Sequence, residues 1–268
     1  LQSTGGVLTA TEASDIADFF AFGLTDVAGA GLDLTLATDG AADSLNIHVG
    51  LDAAQSNATS VTVDAIEIET ALINSVGKDG NTITDFEADA LTSLSIIGNK
   101  TLSVTLNDSA SQLATPAVGT IPLTTVDASA FTGDSLTITA VEADSGVTVT
   151  TGSEALSVTV GDGANNITGT AGDDTITTGK GNDTIVSLAG DDTIEAGDGV
   201  NTITATDGEN DIDGGEGVDT ITAGNGNNTI DGGDGADVIV AGSGANTITN
   251  AAGNATITAG SGGNTVTN

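Results

Sequence analysis

The chain has 268 residues, with 38 Asp or Glu against only three Lys and no Arg, a formal net charge of −35. That sign excludes binding to nucleic acid and insertion into an anionic membrane, and a folded chain so acidic needs counterions. Aromatic residues make up 2%, with no Trp, Tyr or Cys, so a conventional large core, disulfide staples and thiolate metal sites are excluded, and small aliphatic side chains must do the packing.

Residues 1–31 form an N-terminal cap or interface segment. Thr9, Thr11 and Glu12 precede Ile16, Phe19 and Phe20, a pattern that reads as a capped short helix with one apolar face, with a loop as the alternative. Phe19, Phe20 and Phe22 cluster here, as a plug over an open solenoid end or a contact with a preceding domain would require; a local hydrophobic cluster is the plainer reading.

From residue 32 to 159 apolar residues alternate with polar ones: Leu32, Leu34 and Leu36; Leu45, Ile47 and Val49; Val61 and Val63; Ile66 and Ile68; Leu94 and Ile96. The same alternation continues through Leu102, Val104 and Leu106, Leu136 and Ile138, Val147 and Val149, then Leu156, Val158 and Val160. These are half-buried strands separated by Gly, Asp, Asn and Ser turns at irregular spacing. They predict a parallel β-helix with wide, unequal coils, an antiparallel sandwich being the competing architecture. Asn107 to Pro122 holds both prolines and little alternation, so it is expected to loop out of the stack.

Residues 160–268 are different. From Val160 to Thr267 the chain divides into twelve consecutive nine-residue units without a break in phase. The fourth place is always glycine, from Gly163 to Gly262, and the eighth is isoleucine from Ile167 to Ile257, then Val266. The sixth is Asp or Asn in every unit except that of Ala255. An obligatory glycine supplies a positive φ or room for a neighbouring chain, so the first six residues of a unit form a turn. The last three, as in Thr175, Ile176 and Thr177, form a short strand with the isoleucine on one face and the threonines on the other. One buried aliphatic per unit cannot stabilise a unit alone, so stacked neighbours must complete the core. Two facing units make a coil of eighteen residues, and coils stacked at ~4.8 Å build a flattened parallel β-roll.

These units resemble the repeat of the RTX family, G-G-x-G-x-D-x-U-x with U a large aliphatic residue. The best matches are Gly214, Gly215, Gly217, Asp219 and Ile221, and Gly232, Gly233, Gly235, Asp237 and Ile239. The resemblance implies several Ca²⁺ ions lying between turns on the same side of successive coils, held by sixth-place aspartates and backbone carbonyls. It pairs Asp174 with Asp192 and Asp219 with Asp237, and leaves Asp183 with only Asn165 and Asn201 as neighbours. Asparagine can offer a carbonyl oxygen to Ca²⁺ without charge, or stack into an amide ladder that needs no metal. Fewer ions than turns are therefore expected, with the row interrupted at Ala255. The fold class predicted for the whole chain is all-β, a right-handed parallel β-helix running into a calcium-binding parallel β-roll.

The resemblance also implies extracellular placement, since modules of this kind bind Ca²⁺ at roughly 10⁻⁴ to 10⁻³ M. Folding would then follow secretion, by the type I route of such proteins, to the bacterial surface. No signal peptide or membrane span is visible, and a chain that begins at Leu1 and stops out of phase at Asn268 reads as a piece of something longer.

Catalytic signatures are missing. A zinc motif H-E-x-x-H cannot be built around the single histidine, His48, which is expected on the outer face of a strand; no G-x-S-x-G occurs, and Lys180 lacks the rest of a phosphate loop. Glu209, Asp211, Asp213 and Gly214 imitate an EF-hand opening, but Thr220 stands where a bidentate Glu is required, and the repeat phase puts Asp211 and Asp213 on an outer face. Outward threonines at Thr202, Thr204, Thr220 and Thr222 suggest an ice-binding array, interrupted by Val238 and Val240 on one side and Asp211 and Asp213 on the other. No enzyme activity is assigned. The expected role is a calcium-dependent surface-layer or filament subunit whose partners are copies of itself, with cell-surface polysaccharide met through a region outside this chain. The alternatives are a stalk segment of a large secreted adhesin or a carrier module of a secreted enzyme. Segments such as Leu91 to Leu106 and Leu123 to Ala140 also resemble stretches of bacterial RTX-type surface-layer proteins.

Overall fold

The structure is a computed structural model that describes residues 7–13, 17–20, 31–36, 44–49, 59–64, 68–76, 80–87, 89–107, 121–152 and 155–268. Every regular element among them is a β-strand, and the chain alternates between two sheets as each coil turns. It divides into two compact units, Leu1–Ser145 and Gly146–Asn268.

In the first unit one sheet holds β1 (Val7–Ala13), β3 (Gly31–Leu36), β5 (Thr59–Asp64), β7 (Asn81–Glu87), β9 (Leu102–Asn107) and β11 (Leu136–Ala140). The other holds β2 (Ala17–Phe20), β4 (Ser44–Val49), β6 (Thr70–Ser75), β8 (Ser93–Gly98) and β10 (Thr125–Ala128). Neighbours pair in parallel, as Leu45 with Ala71 and Leu136 with Leu102, so this unit is a β-solenoid and the antiparallel sandwich is set aside. Side-chain hydrogen bonds between its coils join residues from 22 to 34 positions apart, the unequal coil length that irregular spacing implied. Wide coils enclose large side chains: Phe86, Phe131, Ile73, Ile96 and Leu106 are fully buried.

Two local expectations are corrected. Residues Val7–Ala13 and Ala17–Phe20 are strands rather than a capped helix, because pairing with β3 and β4 outweighs a weak capping pattern. Ile68 is buried but lies outside any strand, before the one that begins at Thr70, so the strand expected at Ile66 and Ile68 does not include Ile68. Ile66, Phe22, the side-chain direction of His48 and the expected excursion at residues 108–120 lie outside the described residues.

In the second unit β12 (Thr148–Thr151), β14 (Asn166–Thr168), β16 (Thr184–Ala189), β18 (Thr202–Asp207), β20 (Thr220–Ala223), β22 (Val238–Ala241) and β24 (Thr256–Ala259) share one sheet. The other contains β13 (Leu156–Val160), β15 (Thr175–Thr177), β17 (Thr193–Glu195), β19 (Asp211–Asp213), β21 (Thr229–Asp231), β23 (Thr247–Thr249) and β25 (Thr265–Thr267). The eighteen-residue register is already present before Val160, where Thr148 faces Asn166 and Ser157 faces Thr175. Isoleucines from Ile167 to Ile248 are buried in line, and first-place Ala196, Ala205, Ala223 and Ala241 fill the narrow space between them. A β-roll this thin has room for one branched aliphatic per strand and a methyl group at the turn.

Fourth-place glycine has two causes that act together. Gly217 has φ 145°, and a Cβ there would lie 1.5 Å from the carbonyl oxygen of Gly199 in the preceding coil. Its N–H in turn donates to Asp234 O at 2.8 Å, so the turns are hydrogen-bonded to one another as closely as the strands are.

Candidate metal centre

The sixth-place side chains point into the roll and form two ladders. On one side the backbone N–H of each sixth-place residue donates to Oδ1 of the residue eighteen positions on: Asp174 to Asp192, Asp192 to Asn210, Asn210 to Asn228 and Asn228 to Asn246, each at 3.0 Å, then Asn246 to Asn264 at 3.1 Å. On the other the chain of bonds runs from Asn165 to Asp183 at 2.7 Å, Asp183 to Asn201 at 3.0 Å, Asn201 to Asp219 at 2.7 Å and Asp219 to Asp237 at 2.8 Å. The predicted pairs Asp174/Asp192 and Asp219/Asp237 are thus adjacent rungs, and Asp183 sits between Asn165 and Asn201. Ala255 has no oxygen to offer and the second ladder stops there.

Aspartate and asparagine use their second terminal atom differently. The Nδ2 of Asn228 donates to Gly224 O at 3.2 Å, Gly226 O at 3.3 Å and Asn246 Oδ1 at 3.1 Å, closing its own turn. Asn165 does the same to Gly161 O and Gly163 O. An ionised carboxylate has no donor to offer such carbonyls. The Oδ2 atoms of Asp219 and Asp237 are buried with no hydrogen-bond donor; those of Asp183 and Asp192 are buried too, with the hydroxyls of Thr178 and Ser187 beside these two carboxylates. Asp174 differs, for Thr170 N–H donates to its Oδ2 at 2.7 Å and Leu156 N–H and the Thr170 hydroxyl to its Oδ1 at 2.8 Å.

Glycine keeps space beside these oxygens. A Cβ on Gly214 would stand 2.8 Å from Asp219 Oδ2 and 3.0 Å from Gly232 O; one on Gly169 would stand 2.3 Å from Asp174 Oδ2 and 3.0 Å from Ser187 O. Gly169 and Gly214 therefore each leave a carboxylate oxygen and a backbone carbonyl oxygen of the next coil bordering the same space. Burial raises Asp219 to about 6 despite the hydrogen bond from Asn201, with the charges of Asp237 and Asp213 acting in the same direction. Burial likewise raises Asp174, Asp183 and Asp192.

Buried acceptors gathered without donors are a site for a hard cation, which prefers carboxylate and carbonyl oxygens. Among the described residues no three Asp, Glu, His or Cys side chains converge, so the donor set is carboxylates met singly or in pairs with neutral oxygens beside them. Compared with known families, the chain matches the RTX calcium-binding nonapeptide repeat in four copies, over residues 159–194, 186–221, 195–230 and 213–248. Residues 159–248 are RTX repeats. Neither curated proteins nor solved structures give a match to the chain.

RTX nonapeptide repeats bind calcium, and proteins that carry them are typically secreted. The oxygens present here fit that ion. Asp183, Asp192, Asp219 and Asp237 are the RTX residues that would hold it, and what it supplies is positive charge between oxygens that otherwise repel. The Ser187 hydroxyl lies beside Asp192, and sequence alone did not single it out; the signal was a polar residue at the first place, where Ala205, Ala223 and Ala241 stand in the units stacked after it. No described helix is long and apolar enough to cross a membrane.

Proposed function

We propose that the protein is an extracellular, calcium-dependent structural subunit of a bacterial surface layer or filament, assembling with copies of itself. The repeat module explains calcium dependence; self-assembly rests on the outer face of the same unit. There Glu195 pairs with Asp213 and Asp213 with Asp231 on successive strands, so three carboxylates stack in register on the outer surface, Glu195 and Asp213 exposed and Asp231 half-buried. Like charges directly across a ladder are repulsive, and calcium shared with a second molecule relieves that repulsion at a contact. The flanking Thr-Ile-Thr strands keep the surface flat enough to pack. The proposal assigns the chain no catalytic step.

The test is to add millimolar calcium chloride to chelated, pure protein and follow scattering and electron microscopy. Ordered sheets or filaments that disperse again with chelator support the reading. Monomers at every calcium concentration overturn it and favour a stalk segment of a larger adhesin.

A further inference from the structure

The second ladder ends at Asp237, because Ala255 replaces the next sixth-place oxygen. Its last carboxylate still has company. Asn250 occupies the first place of the Ala255 turn, where the units stacked before it on that side carry Thr178, Ala196, Gly214 and Gly232. Its side chain is turned inward and is only 5% exposed. Nδ2 donates to Ala252 O at 3.2 Å, which sets the amide so that Oδ1 faces the interior. There Asn250 Oδ1 is buried without a donor, as Asp237 Oδ2 is. The two atoms meet over Gly232: a Cβ on that glycine would lie 2.7 Å from Asn250 Oδ1 and 2.9 Å from Asp237 Oδ2. One coil earlier, the equivalent point over Gly214 brings Asp219 Oδ2 together with the backbone carbonyl oxygen of Gly232.

We propose that Asp237 and Asn250 together hold a calcium ion at the end of this ladder, the Asn250 amide oxygen standing where the first-place carbonyl oxygen of Gly232 stands beside Asp219 one coil earlier. Two buried acceptors that border the same space over a glycine are left unsatisfied unless positive charge or a donor occupies that space. A carboxylate with a neutral amide oxygen is the mixed oxygen set that calcium accepts. The inference rests on calcium binding by the repeats as a whole, and adds to it a site that the sixth-place rule does not give.

The experiment uses the full chain, stripped with chelator and titrated with calcium chloride, with bound ions counted by native mass spectrometry and thermal midpoints read by circular dichroism. Asn250→Ala is expected to bind one ion fewer than the parent and to show a smaller calcium-induced rise in midpoint. Asn250→Asp is expected to keep that ion, bind it more tightly, and melt lower than the parent in chelator, where two buried carboxylates face each other. If Asn250→Ala binds as many ions as the parent with the same midpoint shift, the Asn250 oxygen is no ligand and the proposal fails while calcium binding elsewhere stands. If the parent binds no calcium at all, the site and the wider reading fail together.

Discussion

Asp219 donates its backbone N–H to Oδ1 of Asp237 at 2.8 Å, while the Oδ2 atoms of both carboxylates are buried with no donor. One oxygen of each side chain therefore serves the fold and the other is left for a cation. Coil stacking and the proposed calcium binding fall on the same residue.

Replacing that second oxygen by an amide separates the two roles. Asp219→Asn supplies an Nδ2 to the carbonyls of its own turn, as Asn228 and Asn165 do in theirs. The calcium-free protein should gain about 1–3 kcal/mol, the scale of relieving one buried unsatisfied group, while the extra stability given by calcium shrinks. Thermal unfolding with and without chelator measures both; a calcium increment equal to the parent's would remove Asp219 from the ligand set.

The reverse exchange has the opposite sign. Asn228→Asp removes the donor to Gly224 O, Gly226 O and Asn246 Oδ1 and buries a charge among acceptors. In chelator the variant should be less stable by about 1–3 kcal/mol, read from urea midpoints at constant slope. An unchanged midpoint would show that the asparagine ladder contributes nothing beyond its backbone bonds.

Acidity offers a third check. Burial first, then the charges of Asp237 and Asp213, hold folded Asp219 at about 6, and burial raises Asp174, Asp183 and Asp192 in the same direction. A calcium-free fold then binds protons that the unfolded chain has already released. Stability present below the unfolded value near pH 4 is lost as pH rises through about 6. Melting temperature in chelator should fall between about pH 4 and about pH 7, and saturating calcium should abolish the fall by taking the proton's place. A chelated protein that grows more stable over that interval would contradict burial of these carboxyls.

Glycine at the turn can be tested against a glycine that is free. Gly217→Ala forces a Cβ to 1.5 Å from Gly199 O at φ 145°, and should cost more than about 3 kcal/mol or prevent the second unit from folding. Gly263→Ala meets nothing within 4 Å and should stay within about 0.5 kcal/mol of the parent. Equal effects at the two positions, by circular dichroism and limited proteolysis, would argue against coils stacked this closely.

Much of this was legible beforehand because the repeat is local. Nine-residue phase, one inward isoleucine and an obligatory glycine specify strand, turn and coil length without knowledge of distant contacts, so the register of Thr193 with Asp211 follows from counting. The strand at Ala17–Phe20 was not legible, since its order comes from pairing with β4 and not from its own pattern. Strands at Thr70–Ser75 and Asn81–Glu87 were missed for a related reason: Ala71, Asn81 and Asp85 blur the alternation, and partners in neighbouring coils supply what it lacks.

By itself the sequence determined the coil of eighteen residues, the inward row of isoleucines and the places where a carboxylate or an amide stands, because each is set by periodicity and by the space a glycine leaves. Which oxygens are spent on hydrogen bonds and which are left over was decided only by stacking. Thr170 satisfies Asp174, nothing donates to Oδ2 of Asp219 or Asp237, and Asn250 turns in over Gly232 on the side of Asp237. Hydrogen bonding is directional and short-ranged, so donors and acceptors eighteen residues apart acquire their partners only when one coil is laid on the next.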